Sequence, residues 1–188
     1  MTDDEVLAAM RCWIEKAVIG LNLCPFAAPV YQRGQIRFVV SHARHADAFL
    51  EQLDEEINRI ATSDADEIAT TLLIHPHLFD EFDAFNELLG IAEEAVTEHE
   101  LEGIVQVGGF HPRFRFEGTD EDDITNYSSR APFATIHLLR EESIEHALAA
   151  HPEAEHIAER NIETLRRLGK AGWDKLGIPF PTIEAVRG

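Results

Sequence analysis

Four short segments of the chain carry more polar chemistry than a plain fold needs. They are His75-Pro76-His77, Phe110-His111-Pro112-Arg113-Phe114-Arg115, Asn126-Tyr127-Ser128-Ser129-Arg130 and His137-Leu138-Leu139-Arg140-Glu141. Imidazole is the commonest side-chain ligand for zinc, copper, iron and nickel, and it titrates near neutral pH. Guanidinium offers a planar fork that matches carboxylate or phosphate. Two functions follow from these residue types. The first is a small-molecule enzyme acting on an anionic substrate that bears phosphate or carboxylate. In its metal version, His75 and His111 ligate a divalent transition metal, His137 or an acid completes the shell, and one position stays open for catalysis. Without a metal, His111 or His137 acts as general acid or base. In both versions Asn126, Arg130, Arg140 and Arg113 hold the substrate. The second function is a non-enzymatic sensor or ligand-binding module, in which the same arginines and asparagine hold a small anion.

Each of these residues also has a plainer role. Buried histidines often bond to backbone or to neighbouring acids, and arginines pair with surface carboxylates of little energetic weight. The spacing matches no HExxH, CxxC or EF-hand pattern, and neither GxGxxG nor GxxxxGK[ST] occurs. Gly108-Gly109, just before His111, would let backbone approach a ligand closely. Cys24 precedes Pro25-Phe26 at a turn or helix start, a position that can lower a thiol's pKa and make it a second-tier nucleophile. Its plain role is a small buried hydrophobe. Ser128 and Ser129 lie in no GxSxG elbow. Glu117, Asp120, Asp122 and Asp123 fit a solvated turn.

The elements that must position these residues are legible as patterns. Thr2 or Asp3 caps a first helix, in which Val6, Met10, Trp13, Ala17 and Leu21 recur at helical spacing and Gly20 is the stop. Residues 22–34 read as loop. Strands are expected over 36–40, 69–74, from 104 and over 133–139, and amphipathic helices over 45–61 and 79–98. The ATTLLI run at 69–74 is apolar enough for a buried central strand. Residues 110–132 form a long polar loop of the kind that is usually functional. Helices over 141–150 and 153–176, broken at His151-Pro152, close the fold, and a loosely held tail spans 177–188. The expected architecture is α/β (α+β): a small mixed sheet of about four strands layered with helices, a ferredoxin-like variant with extra terminal helices. The whole of 1–188 reads as one domain: N-terminal helix 1–21, loop 22–34, sheet core 35–139, closing helices 140–176, then the tail.

One assumption about direction gathers the polar segments. Ligand sites in open α/β sheets lie beyond the carboxyl ends of parallel strands, where His75, His77 and His111 fall. If the fourth strand runs antiparallel, Asn126 and Arg130 come to the same rim, with His137 some two positions deeper. The aromatic third helix, with Phe79, Phe82 and Phe85, reads as core packing in preference to a partner face.

Composition narrows the partners. The chain has 188 residues, enough to bury roughly 70% of its unfolded surface without disulfides. Asp plus Glu number 35 against 16 Lys plus Arg, a formal charge of -19, which disfavours nucleic-acid backbones and anionic membranes. Only Lys16, Lys170 and Lys175 are lysines, and so acidic a surface suits a salty cytoplasm. Two cysteines are too few for a secreted scaffold, no apolar run approaches a membrane span, and no basic leader precedes the first helix. A cytoplasmic location is expected; the oligomeric state is left open.

The short motifs together resemble a bacterial family known as domain of unknown function number 1415. The likeness is carried by Gly20-Leu21-Asn22-Leu23-Cys24-Pro25-Phe26, Leu73-Ile74-His75-Pro76, Phe79-Asp80-Glu81-Phe82 and Phe110-His111-Pro112. It continues through Phe116-Glu117-Gly118-Thr119, Asn126-Tyr127, Arg130-Ala131-Pro132, His137-Leu138-Leu139-Arg140-Glu141 and Glu159-Arg160-Asn161-Ile162. It runs from about residue 6 to 176. It implies a stand-alone bacterial protein and transfers no catalytic residue.

Overall fold

The structure, a computed structural model, describes residues 1–144 and 156–181. The expected break at His151-Pro152, most of the helix around it and the last residues of the tail lie outside that range. Helix α1 (Asp3–Trp13) begins at a capping box: the Glu5 N–H donates to Thr2 Oγ1 and the Thr2 N–H donates to Glu5 Oε2. The helix does not continue as α to Gly20, as the spacing predicts, but widens into a π-helical stretch, Ile14–Ile19. Gly20 closes it by donating to Glu15 O at 3.0 Å. A Cβ there would come 2.4 Å from Lys16 O, so glycine is required by contact. Residues 22–34 are not all loop: α2 (Ala27–Gln32) lies within them. It tolerates Pro29 because first-turn N–H groups have no partner inside a helix.

Four strands follow, β1 (Ile36–Val40), β2 (Thr70–His75), β3 (Val105–Phe110) and β4 (Ala134–Arg140), in the order β1-β2-β4-β3. β1 runs parallel to β2, while β4 is antiparallel to both β2 and β3. The steps from β1 to β2 and from β2 to β3 go the same way along the sheet. Crossovers of one hand therefore put both connecting helices on one face. Helices α3 (Ala46–Thr62) and α4 (Phe82–Glu98) do share a face, and Phe49, Leu53, Phe85 and Leu88 pack there on Leu73 and Ile136. The other face is covered by α1, the π-helical stretch and the last helix, α5 (Ile157–Asp174), through Met10, Trp13, Leu165 and Trp173 on Leu72 and Ile74. Covered on both faces, β2 is the apolar central strand that ATTLLI predicts.

The fold is thus the expected mixed α/β arrangement of four strands with helices. Two helices lie on one face, the terminal helices fill the other, and the order through the sheet is β-α-β-α-β-β. The tail is better held than expected over 177–181. Ile178 and Phe180 pack against the core. The Lys16 ammonium donates to Leu176 O at 2.8 Å, where α5 leaves carbonyls without helical partners. No described helix is long and apolar enough to cross a membrane.

Candidate functional site

Strand register builds the rim. His75, the last residue of β2, pairs with Ala134, and Phe110, the last of β3, pairs with Thr135. His75 and His111 therefore stand on either side of the start of β4, two strand spacings or about 10 Å apart. Each is followed by proline, which keeps the preceding residue extended. Between them lies a cavity of about 230 Å³. Its polar lining comes from His75, His111, Arg113 and Asp80, and its apolar walls include Phe79, Phe133 and four prolines.

The histidines are fully engaged. The N–H groups of His77 and Leu78 both donate to His75 Nδ1, at 3.1 and 2.7 Å. That nitrogen carries a lone pair, so the proton sits on Nε2, which donates to Ala43 O at 3.0 Å. His111 repeats the arrangement: the Arg113 N–H donates to Nδ1 at 3.0 Å and Nε2 donates to Phe79 O at 2.8 Å. Burial pushes the His75 pKa down to about 4, against the pull of the Ala43 carbonyl. Burial also lowers His111, against the Phe79 carbonyl. Both rings are neutral at pH 7, and neither keeps a free nitrogen. The metal role expected for His75 and His111 does not fit, because a metal needs the lone pair that the backbone N–H groups occupy. The same bonds stand against His111 as a general acid or base. Among the described residues no three His, Cys, Asp or Glu are placed to hold a metal ion. His77 does not join His75 on one face: its backbone turns back, its ring lies 6.4 Å away nearly perpendicular, and it is exposed.

What these rings hold is the turn from β2 into α4. Phe79 sits at φ 62°, a left-handed conformation costing a bulky residue about 1–2 kcal/mol. Its carbonyl is fixed by His111, and its ring packs 5.3 Å from Phe49 and 5.7 Å from His75. This is why α4 starts at Phe82 and not at 79. Arg113 adds a further tie, donating from Nη2 to Asp80 O and pairing with Glu81 at 2.8 Å. Both contacts run through Nη2. The Arg113 side chain is 39% exposed and that of Glu81 75%.

The remaining expected residues lie elsewhere or face inward. Asn126 is fully buried in the loop. Its Oδ1 accepts from the Phe116 N–H at 3.0 Å and the Thr119 hydroxyl at 2.8 Å, and its Nδ2 donates to Asp120 O at 2.8 Å. Arg130 donates from Nε to Phe114 O at 3.0 Å and from Nη2 to Glu121 O, with its guanidinium over the Tyr127 ring. These two brace the loop from within and offer a substrate nothing. Arg140 is at the opposite end of the sheet, paired with Val105, and its Nε and Nη2 donate to the carbonyls of Ile68 and Ser63. It cannot share a ligand with the rim.

His137 and Cys24 do not line the cavity either. His137 is mid-strand, opposite Leu72 and Gly108, with its ring 5.4 Å from Phe110. The Thr70 hydroxyl donates to Leu138 O at 2.7 Å, so it accepts from His137 Nε2–H at 2.6 Å. Burial pushes this imidazole to about 4. Cys24 is in the loop before α2, which Asn161 ties to α5 by donating to Leu23 O at 2.9 Å. Burial pushes its thiol up, against the backbone N–H groups of Phe26 and Ala27, the opposite of an activated nucleophile.

Fold and rim define a mixed α/β protein with a small, mostly apolar cavity at the carboxyl ends of two parallel strands. The chain belongs to the family described as Protein of unknown function (DUF1415), whose model matches residues 5–175. No curated protein and no solved structure matches it.

The walls of the cavity are not legible in the sequence. Phe79 reads as helix, and Pro181 as loose tail. The signal for the rim was the His-Pro pair ending two strands, His75-Pro76 and His111-Pro112. For Pro181 there was none, because its place depends on how residues 177–181 pack back onto the core.

Proposed function

We propose that this protein is a small-ligand-binding protein whose site is the rim cavity, with Arg113 holding an anionic group. This is the binding-module alternative, and the cavity carries it: the half-exposed Arg113 guanidinium lines a half-open, largely apolar space. The metal and acid–base versions lose their support, because His75 and His111 have both nitrogens engaged. Glu81 occupies the guanidinium in the absence of ligand, and an incoming carboxylate or phosphate exchanges with it. The partner is a small anion, with neither nucleic acid nor membrane, in keeping with the charge of -19. The setting is the cytoplasm, and the chain acts as one folded unit.

The test is thermal shift against a panel of small phosphates and carboxylates, repeated on Arg113→Ala. Ligands that bind only the folded state raise the melting temperature. At least one anion should stabilise the natural protein and none the variant. If no anion stabilises the protein, or if the same anions stabilise the variant equally, the reading fails.

A further inference from the structure

Resting on the reading of Arg113 as the anion-holding group, we infer that His111 is its positioning residue: anion affinity at the rim depends on the imidazole nitrogen that accepts the Arg113 N–H. The imidazole acts through Arg113, with both of its nitrogens turned to backbone.

The sequence supplies the local half of this device. Pro112 has no N–H, so the first donor after His111 is that of Arg113. It donates to His111 Nδ1 at 3.0 Å and closes a tight turn. The rest of His111 fixes that turn in space. Its N–H donates to Ser129 O at 3.2 Å, its carbonyl accepts from the Phe114 N–H at 3.0 Å, and its Nε2 donates to Phe79 O at 2.8 Å. Each polar atom of this residue, which is 1% exposed, is thus committed. One ring ties the backbone of Arg113 to the Phe79 turn, and Arg113 Nη2 reaches the next carbonyl of that turn, on Asp80. The arginine is therefore held at both ends, its backbone through His111 and its tip through the turn. Holding a side chain in its bound place lowers the ordering cost of binding. Losing the hold weakens binding while the charge stays.

The ring's own orientation is set from α4. Phe85 stacks on the imidazole with centroids 5.2 Å apart and planes at 27°, and Phe82 lies 5.6 Å away. Phe85 reaches that place because residue 109 is glycine. A Cβ on Gly109 would stand 3.0 Å from Phe85 Cε1 and 2.6 Å from Leu89 Cδ2. An imidazole free to turn would give up Arg113 and Phe79 together, because its nitrogens serve different segments.

The experiment titrates the full chain with acetate and with inorganic phosphate while NMR follows the arginine Nε–H and backbone amide resonances. Melting temperatures are measured alongside. The asparagine Oδ1 stands as far from Cβ as Nδ1 does, so His111→Asn keeps an acceptor for the Arg113 N–H. The glutamine Nε2 stands as far from Cβ as the imidazole Nε2, so His111→Gln keeps the donor to Phe79 O and lacks the acceptor. At least one probe should shift Arg113 Nε–H saturably in the natural protein. His111→Gln should lose about tenfold in that affinity, the worth of one net hydrogen bond. His111→Asn should stay within about threefold of the natural protein, although both variants melt at similarly lowered temperatures. Phe85→Leu removes the ring beneath the imidazole and is the milder change; it should weaken binding several-fold, although Phe85 is not among the described residues of the cavity lining. Natural affinity in His111→Gln, or in Phe85→Leu should the first not fold, would overturn the positioning role and leave the anion site standing. Equal loss in His111→Gln and His111→Asn would overturn it too, since a merely structural histidine would act that way. Silence of Arg113 toward both probes in the natural protein would remove the rim site itself, and this role with it.

Discussion

Arg113 and Arg130 lie in the same long loop and have the same side chain, yet they end in opposite roles. Arg130 is 7% exposed, bonded to two loop carbonyls and stacked on Tyr127. Arg113 is half open, holds one carbonyl, and pairs with a glutamate that is itself mostly in water. The first is a buried brace whose Nε and Nη2 donate to backbone. The second lines the cavity and is partly exposed. A guanidinium becomes a binding group only where the surrounding chain leaves its fork incomplete. The loop around Asn126 is closed by its own carbonyls and N–H groups, whereas the rim is lined by prolines that supply no such partners.

The comparison breaks most visibly through stability. Asn126→Ala and Arg130→Ala should each cost about 2–4 kcal/mol in urea unfolding, because each strands buried backbone groups without partners. Amide exchange should rise first over 114–126. If Arg130→Ala kept natural stability but lost anion binding, the two arginines would have been assigned the wrong way round.

Acid reaches the rim histidines and the core together. His75 and His137 bind protons more weakly in the folded chain, at about 4, than the 6.5 of an unfolded histidine, and His111 is shifted the same way. Their contribution is full above pH 6.5 and is lost as pH falls toward 4, since the unfolded chain then binds more protons. Each tenfold difference in proton affinity is about 1.4 kcal/mol, so the shifts of His75 and His137 together amount to roughly 7 kcal/mol. Stability measured from pH 7.5 to 4 should follow this slope. In His75→Gln the slope should flatten and stability at pH 7 should drop. A slope unchanged in that variant would mean the acid response arises elsewhere.

A smaller change tests whether every buried polar atom has a partner to lose. Thr71 Oγ1 is buried with no partner among the described residues. Thr71→Val should stabilise the protein by about 1 kcal/mol in thermal or urea unfolding, because the hydroxyl is desolvated without compensation. A loss would point to a partner such as an internal water.

The smallest stability effect belongs to Arg113. Arg113→Ala should change stability by no more than about 0.5 kcal/mol, as exposed ion pairs usually do. A loss comparable to that of Arg130→Ala would make Arg113 a brace as well.

Much of the frame was legible. The apolar run at 69–74 gave the central strand, and helical stripes over 45–61 and 79–98 gave the two helices of one face. The antiparallel fourth strand was needed to bring the loop segments to the rim, and β4 has that direction. The rim was found because strand ends are readable. Its chemistry is not readable in the same way, because a histidine's partners are set by the fold. His75 reaches Ala43 O and His111 reaches Phe79 O, each 32 residues away along the chain. Arg140 fell out for the same reason, since it lies at the far end of β4, where its donors meet carbonyls 72 and 77 residues back. The π-helical stretch after Trp13 escaped because its apolar spacing differs little from that of an α-helix over two turns.

Local pattern therefore determined which segments are helix or strand, which strand is central, and which end of the sheet collects polar residues. Those properties depend on periodicity and on neighbours within a few positions. Tertiary structure alone decided which polar groups remain available to a ligand. Backbone carbonyls and N–H groups are nearly uniform along the chain, so composition does not mark the ones that will face a given side chain. Only the folded register brings Ala43, Phe79 and Asp80 against His75, His111 and Arg113, and leaves part of one guanidinium open to the cavity.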